Sequence, residues 1–218
     1  MGFYSMVAFF QKGGVFMYPI LLVFAIGMAI SFERMVQLNR VKAANRKMWG
    51  KLHPLLVKGE FEQARQMTNK DKSSISQMLS MGLARQGAVR RREDIEIAME
   101  ESMMEIIPQL EKRTPYVALL SNIATLLGLL GTIMGLIEAF TAVANANPAE
   151  KADLLSASIS VAMNTTAFGL MAAIPMLLFH AKIMSTTGQI VDSLEMASVK
   201  ALNNISNFAK RQYEKSKS

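Results

Sequence analysis

From Val15 to Phe32 the chain runs VFMYPILLVFAIGMAISF without a charged residue. As a helix at 1.5 Å per residue this segment is about 27 Å long, close to the roughly 30 Å hydrocarbon core of a bilayer. Two further apolar blocks follow, Tyr116 to Val143 and Leu154 to Phe179. Lipid offers no partner to a backbone amide, so a chain that crosses it this way closes its hydrogen bonds within each segment. The fold expected is an all-α membrane protein with three transmembrane helices. Pro19, near the start of the first block, leads us to expect a shallow kink there.

Between the blocks the chain is polar. Arg40, Lys42, Arg46, Lys47 and Lys51 follow the first span, and Arg90-Arg91-Arg92 come later. Glu93 to Lys112 places Ile95, Met99, Met103 and Ile106 at three- and four-residue spacing, which predicts an amphipathic helix. Asn69 to Ser76 is the expected turn between two helices, and Pro108 and Pro115 are expected to bend the approach to the second span. Ala144 to Asp153 is too short for anything but an antiparallel hairpin of spans two and three. Helical spacing returns after Lys182, so long helical extensions in water are expected beyond the spans. The organisation expected is an outer N-terminal segment over 1–14, spans over 15–38, 114–143 and 154–181, an outer loop over 144–153, and cytoplasmic helical segments over 39–113 and 182–218. Its orientation follows from the Lys and Arg residues gathered in the last two.

The net charge of +7 fits this topology better than nucleic-acid binding, because the basic residues flank apolar blocks and no aromatic residues interleave with them. Cysteine is absent, which excludes disulfides and thiolate chemistry, and two histidines far apart in the chain argue against zinc. No nucleophile and base pair or phosphate-cradling loop is visible, so an enzyme is not expected and no cofactor is implied. The first block has no small-residue cleavage site before Glu33-Arg34 and reads as a retained anchor.

Inside the second span Ser121, Thr125, Gly128, Thr132, Gly135 and Ala139 recur at steps of four and three, forming one small, weakly polar stripe. The third span repeats the pattern with Ser158, Ala162, Thr165, Gly169 and Ala172, flanked by Asn164 and Thr166. Close helix packing accounts for Gly128, Gly131, Gly135 and Gly169. It accounts less well for Thr132, Asn164, Thr165 and Thr166 deep in the spans, where polar groups face protein or a water-filled cavity. A pore lining explains both. Hydroxyls and amides do not titrate near neutrality, so a carried proton needs a carboxylate from elsewhere. Glu138, near the outer end of the second span, is the one acidic residue inside the three apolar blocks. It is a candidate for the point where ions enter, or a helix-end residue reaching the interface.

Leu126 to Phe140 (LLGLLGTIMGLIEAF) and Asn164 to Pro175 (NTTAFGLMAAIP) resemble the signature hairpin of the ExbB, TolQ and MotA superfamily, closest to ExbB and TolQ, and Glu33-Arg34 resembles that family's ER pair. The resemblance implies a homopentamer of three-span subunits in a bacterial inner membrane, with the N-terminus periplasmic. It implies a ring around a central pore that receives the single spans of an ExbD- or TolR-like partner dimer, whose aspartate meets the ion. Thr132 and Thr166 match the family's pore-facing threonines, while Thr165 stands where many ExbB-like chains have alanine. Glu138 stands where the family is usually not acidic, and Val161 where ExbB and TolQ have glutamate, which with the Asn164-Thr165-Thr166 cluster leaves sodium open beside protons.

The function so implied is that of an ion-conducting, stator-type subunit coupling a proton or sodium motive force to the work of a TonB- or TolA-like protein. A motility stator is an alternative, although those resemble this chain with four spans. A passive membrane scaffold is another, and a secondary transporter fits poorly, with no inverted repeat and no buried charge pair.

Overall fold

A computed structural model describes residues 13–86 and 92–217, with side chains through Arg211. Lys12 and the segment before it, Arg90, Arg91 and the side chains of Lys215 and Lys217 therefore lie outside the described residues. Among those described the elements are helices: α1 (Met17–Lys58), α2 (Phe61–Lys70), α3 (Ser74–Arg85), α4 (Arg92–Glu111), α5 (Thr114–Ala144) and α6 (Lys151–Lys217). Three stretches, in α1, in α5 and in α6, are long and apolar enough to cross a membrane.

The chain divides into two units. The first holds the described residues up to Arg34 together with Arg113–Ile183, and the second holds Met35–Lys112 and the chain from Met184 onward.

The first unit inverts the pattern of a protein folded in water. Leu22, Leu126, Leu129, Ile137, Phe140, Ile174 and Leu178 lie on its outside, while Ala124, Ala172 and Ala173 sit in its centre with Ile20, Val117 and Met176. An apolar exterior of this extent is intolerable in water and natural in lipid. Lipid tails are as apolar as leucine, so burying leucine between the helices gains little. Small residues that let backbones approach are what hold such helices together.

Pro19, where the sequence suggested a shallow kink, stands in the first turn of the span. It is the third residue of α1, where its missing N–H is not needed, and the Val15 carbonyl accepts from Tyr18 at 3.3 Å instead. Pro108 is likewise accommodated inside α4. The break before the second span falls at Arg113, whose φ of 65° is left-handed. Pro115 then starts α5 in the first helical turn, where proline is favoured.

In the second unit the helix of the first span continues without interruption to Lys58, because Leu38, Asn45, Met48, Leu52 and Leu56 keep a buried face after the apolar run has ended. Gly59 then ends it at a φ of 80°, with no space for a side chain beside the Phe208 ring. The expected turn at Asn69 to Ser76 contracts to the short link between Lys70 and Ser74. Ile75, Met78, Leu79, Ile95, Met99, Ile106, Ile190 and Leu194 form the buried apolar faces of this unit.

Candidate functional site

The hairpin of α5 and α6 brings the two small-residue stripes face to face. A Cβ at Gly169 would lie 2.8 Å from the Ala124 carbonyl oxygen and 3.0 Å from Gly128 Cα. The backbones touch there, and only glycine on both helices permits it. Further along, Gly131 meets Thr165 and Gly135 meets Ala162. Ser121 Oγ ties the other end, donating to the Ala173 carbonyl at 2.9 Å. Gly128, Gly131, Gly135 and Gly169 therefore all lie where the two helices approach closely.

The threonines divide into two groups. Thr132 and Thr166 face each other at the edge of the hairpin, both half-buried, with their hydroxyls in contact. Thr166 Oγ1 donates to the Gly128 carbonyl at 3.0 Å, and the Gly128 and Ala162 carbonyls each lie 3.3 Å from Thr132 Oγ1. Two hydroxyls carry two protons, so four oxygens share them and lone pairs remain on both hydroxyl oxygens. Such a cluster can accept a hydrogen bond from a protonated acid, hold a water or lend oxygens to a cation. It cannot itself release a proton near neutral pH.

Thr165 faces elsewhere. It is 2% exposed, and its hydroxyl is within reach of the Gly13 carbonyl at 2.5 Å and the Val161 carbonyl at 3.1 Å. It fastens the turn before α1 to the third span, and it does not join the Thr132–Thr166 pair. Asn164 is half-buried and, two residues from Thr166, sits roughly opposite it around α6. Thr125 is exposed, two turns from Thr132, and returns its hydroxyl to the Ser121 carbonyl at 3.2 Å. Glu138 is exposed near the end of α5, and Val161 is half-buried, 3.4 Å from the place of a Gly14 side chain.

Two features escaped the sequence reading. One is the tie from Thr165 to the turn before α1, for which the sequence carried no signal beyond a hydroxyl in a span. The other is an ion pair between Arg113 Nη1 and Glu33 Oε2 at 2.9 Å, beside a buried Arg34. Opposite charges at the ends of the first and second spans could have suggested it.

The sequence profile of the MotA/TolQ/ExbB proton channel family matches residues 70–196, more than half of the chain, including all of α5 and the apolar stretch of α6. The chain is 25% identical over 196 residues to a putative biopolymer transport protein ExbB homolog of Methanothermobacter thermautotrophicus, covering 89% of this chain and 68% of that protein. It is 34% identical over 86 residues to the Tol-Pal system protein TolQ of Haemophilus influenzae, covering 39% of this chain and 37% of the relative. Over 57 residues it is 47% identical to the biopolymer transport protein exbB1 of Vibrio cholerae, covering 26% and 25% of the two chains. The chain thus belongs to the MotA/TolQ/ExbB proton channel family, on its ExbB and TolQ side, and is an inner-membrane protein of the channel type rather than an enzyme.

Proposed function

We propose that this chain is the ion-conducting subunit of a membrane motor. Copies surround a pore, as a homopentamer, and a dimer of single-span partners of the ExbD or TolR kind enters it. A partner aspartate then meets the passing ion beside Thr132 and Thr166. The observation that carries this reading is the pair of hydroxyls at the hairpin edge, well inside both spans, sharing protons with two backbone carbonyls. A polar cluster placed there is costly against lipid and useful beside water.

The work available is set by the gradient. One elementary charge falling through 100 mV releases roughly 2.3 kcal/mol, about four times thermal energy, enough to bias a rotational step without covalent chemistry. A cation taken up from outside neutralises the partner's aspartate, and its release inward restores the charge. Thr132 and Thr166 hold the acid or its water in line during that exchange. The output passes to a TonB- or TolA-like protein, in keeping with the biopolymer-transport and Tol-Pal names of the relatives. Protons are the first candidate, and sodium is the alternative that Val161 in place of glutamate leaves open.

The decisive variants are Thr132→Val and Thr166→Val, which keep shape and remove the hydroxyls. Co-expressed with the partner, they are expected to assemble and to lose most gradient-driven work, measured as uptake or envelope integrity with and without an uncoupler. Full activity in both variants would sink the reading. A passive scaffold would work unchanged when the gradient is collapsed.

A further inference from the structure

Among the described residues of the second unit two helix faces stand exposed. On α4, Glu93, Ile97, Glu100, Met104 and Glu111 follow one another at steps of three, four or seven, which places them along one line. Ile97 is 51% and Met104 72% exposed, and the three carboxylates are exposed with them, while Ile95, Met99 and Ile106 hold the opposite, buried side. On α1, Arg40, Ala43, Lys47, Gly50, Pro54 and Val57 follow at steps of three and four and are all exposed. A side chain at Gly50 would meet nothing within 4 Å. Among the described residues, neither Glu93, Glu100 and Glu111 nor Arg40 and Lys47 take part in an ion pair.

The two rows complement each other in sign and in size. One alternates carboxylates with bulky apolar side chains. The other carries two cations, Arg40 and Lys47, each followed by a small residue, Ala43 and Gly50, and ends on Pro54 and Val57. Both repeat at seven residues, Glu93 with Glu100 and Ile97 with Met104 against Arg40 with Lys47 and Ala43 with Gly50, which is the period at which two helices keep a shared seam. From Glu93 to Glu111 the first row runs about 27 Å, and from Arg40 to Val57 the second runs about 26 Å. Isolated surface ion pairs contribute at most about 1 kcal/mol, so it is the repeated match along a seam, with Ile97 and Met104 desolvated in it, that makes a stable contact.

We infer that the acidic row of α4 in one copy docks on the basic row of α1 in the next, joining copies head to tail. The inference rests on the ring reading above and names the faces that build the ring. Two different faces on one protomer make a heterologous contact, the kind that closes into a ring when the rotation allows. A membrane surface is the rival occupant of the basic row. The headgroup region on one side of a bilayer is only about 5–8 Å deep, and Arg40 and Lys47 alone are about 10 Å apart along a helix that continues a span.

The chain has no cysteine, so the contact can be read by cross-linking. Lys47→Cys and Glu100→Cys copies, carrying different tags, are co-expressed and oxidised in membranes. The expected result is a mixed-tag disulfide dimer that neither variant forms alone. In size-exclusion chromatography of the purified full chain, Lys47→Glu and Glu100→Lys each shift protein from oligomer toward monomer, added salt does the same to the wild type, and the double charge swap restores the oligomer. Helical content by circular dichroism checks that each variant is folded. An intact oligomer without mixed cross-links overturns the inference and leaves the motor reading standing. Loss of binding to anionic vesicles by Lys47→Glu, with the oligomer unchanged, assigns the basic row to lipid and overturns it as well. A wild-type chain that is monomeric in membranes removes the ring, and the motor reading with it.

Discussion

Gly169 and Gly188 lie on the same helix, α6, and substituting them should move stability in opposite directions. Alanine in place of glycine inside a helix gains about 1 kcal/mol from propensity alone. At Gly188 nothing stands within 4 Å of the new methyl, so that gain is kept. At Gly169 the methyl would press on the Ala124 carbonyl at 2.8 Å and on Gly128 Cα at 3.0 Å. Both are backbone atoms, which cannot swing aside as a flexible side chain would. Overpacking of this kind costs about 1–3 kcal/mol, so the clash outweighs the propensity gain. Thermal unfolding in detergent is expected to show Gly188→Ala slightly above the wild type and Gly169→Ala several degrees below it. The Thr132–Thr166 pair should be disturbed in the second variant, because Gly128 supplies its shared carbonyl.

The start of α3 shows how one element is pinned by polar groups. Ser73 caps it, accepting from the Ser76 N–H at 3.4 Å, and Asp71 accepts from the Ser73 N–H at 2.9 Å and the Ser76 hydroxyl at 2.7 Å, with the Ser73 hydroxyl also in contact. Asn45, buried on α1, adds an oxygen to the Ile75 N–H at 3.2 Å. Partial desolvation acts to raise the Asp71 pKa, but the hydrogen bonds from Ser73 and Ser76 and the charge of Lys51 together bring it below the ordinary carboxylate value. A carboxyl depressed on folding stabilises fully above its unfolded value, and that contribution is lost as pH falls through the lower, folded one. Limited proteolysis of the 71–74 link should therefore accelerate below about pH 4 in the wild type. Asp71→Asn should be cut faster at neutral pH and should lose this acid dependence; equal cutting of both proteins at pH 7 would contradict the assignment. The turn between two helices here was legible from its polar, serine-rich composition. The unbroken run of α1 to Lys58 was not, because only Leu38, Asn45, Met48, Leu52 and Leu56 preserve the buried face once the apolar run ends, and a mixed pattern of that kind equally fits a helix that stops and restarts.

For the molecule as a whole, the three spans were legible because long uncharged runs have one physical solution in lipid. The meeting of Thr132 with Thr166 was half legible: matching stripes foretold that α5 and α6 pack and the family resemblance pointed to this pair, but the spacing of three adjacent polar residues at Asn164, Thr165 and Thr166 cannot by itself say which of them faces the hairpin edge. Packing of the turn before α1 decides that, through the Gly13 carbonyl. Orientation is the remaining global property, and the direction of ion flow through the proposed motor depends on it. Three spans put the hairpin loop and the C-terminal helix on opposite faces of the membrane. Arg40, Lys42, Arg46 and Lys47 follow the first span, Lys112 and Arg113 precede the second, and Lys182 follows the third, against Lys151 alone in the hairpin loop. Moving such a cluster outward opposes both the membrane potential and the anionic inner leaflet, so these ends are expected to stay inside. The absence of cysteine makes the test direct. Asn147→Cys should react with a membrane-impermeant maleimide in intact cells, whereas Lys200→Cys should react only after permeabilisation. The reverse labelling would invert the topology and require the ion to meet Thr132 and Thr166 from the other side.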